Sequence, residues 1–234
     1  MIREAVLILS LLVGISALAE GTSSPATWEV LSRSDGIAIL QKELKGTSAV
    51  ALRGEVILDS PVSKVATILF DTSQKTHWVS RAKEAHDVRV IGPYERIEYQ
   101  RASAPWPLDD RDFVFNAKVA FDRPNQKMFV RLKSVEDPLA PPVPSLVRGE
   151  LIECTYTLTA IENGAKTKVE VEIQIDPKGS PPSWAVNKFQ KTWPRETLEG
   201  MRSQAARPDL AENKGVREEL LNLVPTQTVA SASN

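Results

Sequence analysis

Residues 166–175 alternate without a break. Val169, Val171, Ile173 and Ile175 are apolar, and Lys168, Glu170, Glu172 and Gln174 between them are polar. A period of two puts the apolar set on one face of a strand, so this segment belongs in an antiparallel sheet with one dry and one wet face. The pattern recurs in Asp112–Phe121 (Phe113, Phe115, Ala117, Val119, Phe121) and in Lys127–Val135 (Met128, Val130, Leu132). It recurs again in Gly149–Ile161, which joins the 166–175 strand through Asn163-Gly164, a hairpin signal. His86–Ile91 and Arg96–Arg101 read as two further strands. A sheet with one apolar face needs a cover. The one large amphipathic segment left follows Gly179, where Ser180 can cap a helix and Pro181 and Pro182 suit its start. Val186, Phe189, Trp193, Thr197 and Met201 share a face of it, and Pro194 predicts a kink.

Upstream, Trp28–Leu44 carries a turn at Ser34-Asp35-Gly36, and Val50, Leu52, Val56 and Leu58 alternate around Gly54. Asp59 or Ser60 can cap a helix that Pro61 starts and Val62, Val65, Ala66 and Leu69 stripe; a second short helix is expected from Asp71 or Thr72 to Trp78. The order is therefore strands, two helices, a long run of strands, then one long helix. This is an α+β chain in which a curved antiparallel sheet grips its C-terminal helix.

The length of 234 residues and a hydrophobic fraction of 42% fit one domain, expected over 28–206. Residues 1–19 read as a signal peptide: Arg3, an apolar run from Ala5 to Leu18, and an Ala17-Leu18-Ala19 site. Export to a periplasm or the medium is the expectation. Residues 20–27 read as a flexible lead and 207–234 as a partly disordered tail with a short helix at Leu210–Leu223. Twenty-nine Lys and Arg balance thirty Asp and Glu, so net charge gives no reason to expect nucleic acid. With one cysteine, Cys154, no internal disulfide can form.

Catalytic and metal motifs are missing from the sequence. His77 and His86 do not fit a His-Glu-x-x-His site, and one cysteine makes no zinc cluster. Ser80 and Lys83 match Ser-x-x-Lys without its partner motifs. Asp109, Asp110 and Asp112 around Arg111 read as a charged turn with a salt-bridged arginine rather than a metal site. No cofactor is expected.

Three stretches carry a family likeness. They are Ala104-Pro105-Trp106-Pro107-Leu108-Asp109-Asp110-Arg111-Asp112-Phe113-Val114, then Asp176-Pro177-Lys178-Gly179-Ser180 with Pro182-Ser183-Trp184-Ala185-Val186-Asn187, and Pro61-Val62-Ser63-Lys64-Val65 with Trp78. In this order they resemble the START (steroidogenic acute regulatory protein-related lipid transfer) family over about Trp28 to Met201. The resemblance implies a helix-grip fold: a U-shaped sheet around a tunnel, closed by the terminal helix, that binds lipids or other apolar molecules without chemistry. Some members bury an acid and an arginine in the tunnel. Read ungapped, the acid falls on Glu98 and the arginine on Ala117, so the pair is broken here. The family's extra helix before the first strand has no counterpart between Ala19 and Trp28.

On this reading the ligand-binding residues are Glu98, Phe113, Phe115, Val130, Tyr156, Val171 and Ile173, with Phe189 and Trp193 from the lid and Trp106 and Leu108 as a gate loop. The implied partners are a lipid or similar apolar molecule and, transiently, a membrane; the protein is expected to be a monomer. The rival readings are a helix-grip enzyme of the polyketide cyclase or aromatase type, using Glu98, Arg101 and Tyr156, and a scaffold that binds through the Pro-rich 137–147 loop.

Overall fold

The structure, a computed structural model, describes residues 28–43 and 50–221. The expected leader (1–19), flexible lead (20–27) and final stretch (222–234) lie outside these residues. The chain runs β1 (Glu29–Ser34), β2 (Ile37–Glu43), β3 (Val50–Leu58), α1 (Val62–Phe70), a 3-10 turn (Thr72–His77), β4 (Ala82–Gly92), β5 (Glu95–Ala102), β6 (Arg111–Asp122), β7 (Lys127–Ser134), β8 (Val147–Arg148), β9 (Glu150–Ile161), β10 (Lys166–Asp176), α2 (Ser183–Ala205) and α3 (Lys214–Leu221). One sheet holds every strand, in the order β1-β2-β3-β10-β9-β7-β6-β5-β4; two-residue β8 pairs parallel with β6, and the other pairings are antiparallel. This is the helix-grip fold.

The period of two does what the sequence expects of it. Val169, Val171 and Ile173 are buried, while Lys168, Glu170, Glu172 and Gln174 stay partly exposed. The β9–β10 hairpin turns through Asn163 and Gly164, both at positive φ (55° and 84°), backbone that Asn and Gly adopt most readily. Between β9 and β10 the alternation is interrupted. A register shift opposite Gln174 and Ile175 leaves Ile152 as an extra residue, so that Leu151 is buried and Ile152 is only partly so, although a strict period of two would put Ile152 on the same face as Cys154.

Both helices that follow prolines start differently from expectation. Pro61 and Pro182 themselves sit at the N-cap, extended, and no side chain caps either helix. Ser60 instead donates its hydroxyl to the Ala205 carbonyl (2.9 Å), tying α1's start to α2's end. The packed unit also runs past 206. Asn213 N–H donates to the Ser63 carbonyl, Thr67 Oγ1 donates to the Ala211 carbonyl, and Val216 and Leu220 join the core.

Two glycines let α2 pack closely, one on the sheet beneath it and one on the helix itself against the end of the 3-10 turn. A Cβ on Gly54 of β3 would lie 2.7 Å from Leu198 Cδ1, and one on Gly200 would lie 2.4 Å from the Trp78 carbonyl oxygen and 2.8 Å from its Cα. The second clash is with backbone, which cannot swing aside. Gly200→Ala is expected to lose a net ~1–2 kcal/mol: overpacking of roughly 1–3 kcal/mol or more outweighs the ~1 kcal/mol that alanine gains in a helix. The urea midpoint reads this; an unchanged or raised midpoint would refute the close approach.

Candidate functional site

Between the dry sheet face and the first half of α2 lies a cavity of about 560 Å³. Leu52 of β3, Phe113 and Phe115 of β6, Val130 and Leu132 of β7, Leu151, Cys154 and Tyr156 of β9, and Ile173 of β10 form its wall. Ala185, Val186, Phe189 and Trp193 roof it. The space is open because α2 meets the sheet in two ways. Its second half is packed down: Thr197, Leu198 and Met201 are fully buried. It is also tied, by Ser80 N–H to Thr197 Oγ1 (3.2 Å) and by Arg202 to the Asp35 carbonyl (2.9 Å). In the first half, Ser183, Trp184, Asn187 and Lys188 are exposed, Phe189 is half-buried, and Ala185, Val186, Phe189 and Trp193 line the cavity. Pro194 separates the halves, and the helix is assigned without a break through it.

Of the sequence-predicted wall, Phe113, Phe115, Val130, Tyr156, Ile173, Phe189 and Trp193 line this cavity, and so does Leu108 from the gate loop. Three residues do not. Val171 is buried beside Gly54, within the packed zone beneath Leu198 and Pro194. Trp106 points to solvent, 89% exposed. Glu98 is 2% exposed but lies behind the wall, not in it.

What stands in front of Glu98 is Lys75. Its ammonium forms a buried ion pair with Glu98 Oε2, and Arg96 Nε lies 4.0 Å from Oε1. Lys75 lines the cavity, with Nζ 5.4 Å from the centre of the Phe115 ring. The acid therefore has a basic partner, supplied by the 3-10 turn instead of by position 117. Sequence reasoning missed Lys75 because a lysine in Thr-Ser-Gln-Lys-Thr-His has no local mark of burial. Nearby, burial pushes the Cys154 thiol up to about 12 and the Tyr156 hydroxyl well above its ordinary value. Both are thus protonated wall groups at neutral pH.

The other candidate groups do not converge. Arg101 sits outside the cavity on Asp110 (2.7 Å), so Glu98, Arg101 and Tyr156 form no common acid–base site. Ser80 bonds Glu196 and Lys83 bonds Asp110, which separates the Ser-x-x-Lys pair. His86 is exposed and stacks on Tyr99, ring centres 4.9 Å apart. The acidic turn differs from expectation: Asp112 takes Arg148 in a two-pronged pair, Asp110 takes Arg101 and Lys83, and Arg111 meets only backbone carbonyls, those of Asp109 and Pro177. Among the described residues no cluster could hold a metal ion, and no helix is long and apolar enough to cross a membrane. The 137–147 loop is pinned, by Asp137 to Arg89 and by Arg148 to the Ala140 carbonyl, though Leu139 on it is exposed.

Comparison with known proteins agrees with this architecture. An uncharacterized protein of Pseudomonas aeruginosa is 23% identical over 185 residues, 79% of this chain and 90% of its own. Human START domain-containing protein 10 is 29% identical over 131 residues, 56% of this chain, so the match spans under half (44%) of that relative. Its crystal structure superposes with a TM-score of 0.67 at 21% identity, covering 76% of this chain and 72% of that one. The STAR-related lipid transfer protein of Xanthomonas axonopodis gives a TM-score of 0.68 at 25% identity, covering 77% and 99%. The START domain model matches residues 16–205, most of the chain. With that match and the helix-grip sheet around a lidded cavity, this chain belongs to the START domain family.

Proposed function

We propose that this protein binds a lipid or similar apolar molecule in the cavity and carries it through water, without chemistry. The observation that carries the reading is a hollow of about 560 Å³ walled largely by Phe, Leu, Val and Ile side chains, between the sheet and its C-terminal helix. Apolar surface moved out of water gains about 25 cal/mol per Å², enough to draw a lipid from a bilayer when the cavity encloses it. The Xanthomonas relative, named as a lipid transfer protein, supports the same reading. Ala17-Leu18-Ala19 supports export to the periplasm or the medium. Trp106 (89% exposed) and Trp184 (50%) flank residues of the cavity mouth and suit a brief membrane contact by a monomer.

Native mass spectrometry of protein purified from its own compartment tests this. One bound apolar species per chain, recovered chemically unchanged, is the expected result. Protein that stays empty, and that moves no labelled lipid between vesicles, would overturn the carrier reading. A ligand converted during incubation, with conversion lost in Glu98→Gln, would replace it with an enzyme.

A further inference from the structure

The mouth of the cavity is positively charged, in a chain whose net charge is −1. Arg81, Arg111 and Lys188 line it, and among the described residues none has a carboxylate within 4.0 Å. Of the acids nearby, Asp109 and Glu196 are exposed and lie beyond 4.0 Å of these three cations, and the others are already engaged. Asp110 holds Arg101 and Lys83, Asp112 holds Arg148, and Asp176, the one acid in the lining, holds Lys178 at 2.7 Å.

Arg111 is the centre of this arrangement. It is only 8% exposed, yet its partners are two neutral carbonyls, of Asp109 and Pro177 (3.4 Å). A guanidinium has five donors, and burying its charge without a counter-charge is unfavourable. A fork of this kind matches a carboxylate or phosphate. The start of α2, which no side chain caps, reaches the same cavity through Ala185 and Val186 and adds the positive end of the helix dipole.

We infer that the cargo is an anionic amphiphile, seated with its tail in the cavity and its carboxylate or phosphate oxygens at the mouth on Arg111, with Arg81 and Lys188 beside it. This rests on the carrier reading and adds the polarity and direction of the ligand. The burial of Arg111 favours a bound headgroup over an approaching membrane surface, which would meet exposed cations first.

Three probes test it on the full mature chain: hexadecanoate, methyl hexadecanoate and inorganic phosphate. In competition read by native mass spectrometry, hexadecanoate should be preferred over its methyl ester about tenfold. Phosphate alone should not displace it at equal concentration. Lys188→Gln, on the surface, should cut the preference about twofold, and Arg111→Lys, which keeps the charge but loses the fork, should cut it further. Because Arg111 could matter for folding, a second measurement uses the unaltered protein: carbon-13 NMR of carboxyl-labelled hexadecanoate. The bound carboxyl should titrate below the ordinary carboxylate range and move upward in Lys188→Gln.

Equal binding of acid and ester would overturn this inference and leave the carrier reading intact; binding of neither would end both. Displacement by phosphate would make the mouth a site for a free anion. A bound carboxyl that titrates above the ordinary range, or is indifferent to both substitutions, would put the head elsewhere. Vesicle binding that depends on Arg111 while ligand choice does not would assign the cations to a membrane instead.

Discussion

Lys75→Met is expected to destabilise the protein by about 3–5 kcal/mol, because it strands a carboxylate inside the wall. Glu98 is 2% exposed and its Oε2 is held by the Lys75 ammonium; the Arg96 guanidinium, at 4.0 Å from the other oxygen, is a weaker second partner. Removing one member of a buried pair commonly costs that much, whereas exchanging both for apolar groups of similar size is close to neutral. At ~2–4 °C per kcal/mol for a chain of this size, the melting temperature should drop by roughly 10 °C. Lys75→Met combined with Glu98→Leu should recover most of the loss. A single variant that melts within a degree or two of the parent, or a double variant no better than the single, would show that the pair is not coupled. Lys75 also fronts the cavity, so the double variant separates two roles: stability should return while any ligand contact made by the ammonium does not.

Tethering the first half of α2 is expected to reduce lipid transfer at least tenfold without unfolding the protein. The asymmetry of the helix is the reason. Beyond Pro194 it is fixed by Thr197, Leu198, Met201 and the Gly200 contact with Trp78. Before Pro194 it is a roof over the cavity, carried by Ala185, Val186 and Phe189. Proline removes a helical hydrogen bond at the junction of the two, where opening would bend the chain. Leu108→Cys and Ala185→Cys put a thiol on each side of the mouth, and a reducible bismaleimide joins them. Cys154 is replaced by Ala beforehand. Transfer between vesicles should fall on linkage and return on reduction. Transfer that continues with the link demonstrably closed would mean that the ligand leaves by another route.

The strands were legible because each burial decision was repeated along the chain. Five apolar residues at alternate positions from Phe113 to Phe121 leave little choice of face. Which buried residues face the cavity was less legible. Val171 and Ile173 share one face of β10, yet Ile173 lines the cavity and Val171 sits under Leu198, because α2 descends onto the sheet between them. Alternation reports the face and carries nothing about where along the strand a cover touches down. Lys75 was illegible for a different reason: its partner is twenty-three positions away on another element. Arg111 was singled out with its acidic neighbours, but adjacency in sequence misled. Neighbouring strand residues point to opposite faces, and Asp112 turns to Arg148 while Arg111 turns to the mouth.

The hollow also bears on how much of this protein a cell can keep. Unfilled apolar wall costs stability, at about 24 cal/mol per Å³ where a void is enclosed, so a ligand that fills the cavity favours the folded state. A ligand present at a hundred times its dissociation constant adds about 2.7 kcal/mol to the folded state by mass action. Shifts of that size change steady-state abundance several-fold where unfolded chains are cleared by proteolysis. The supply of cargo would then set the lifetime of its own carrier.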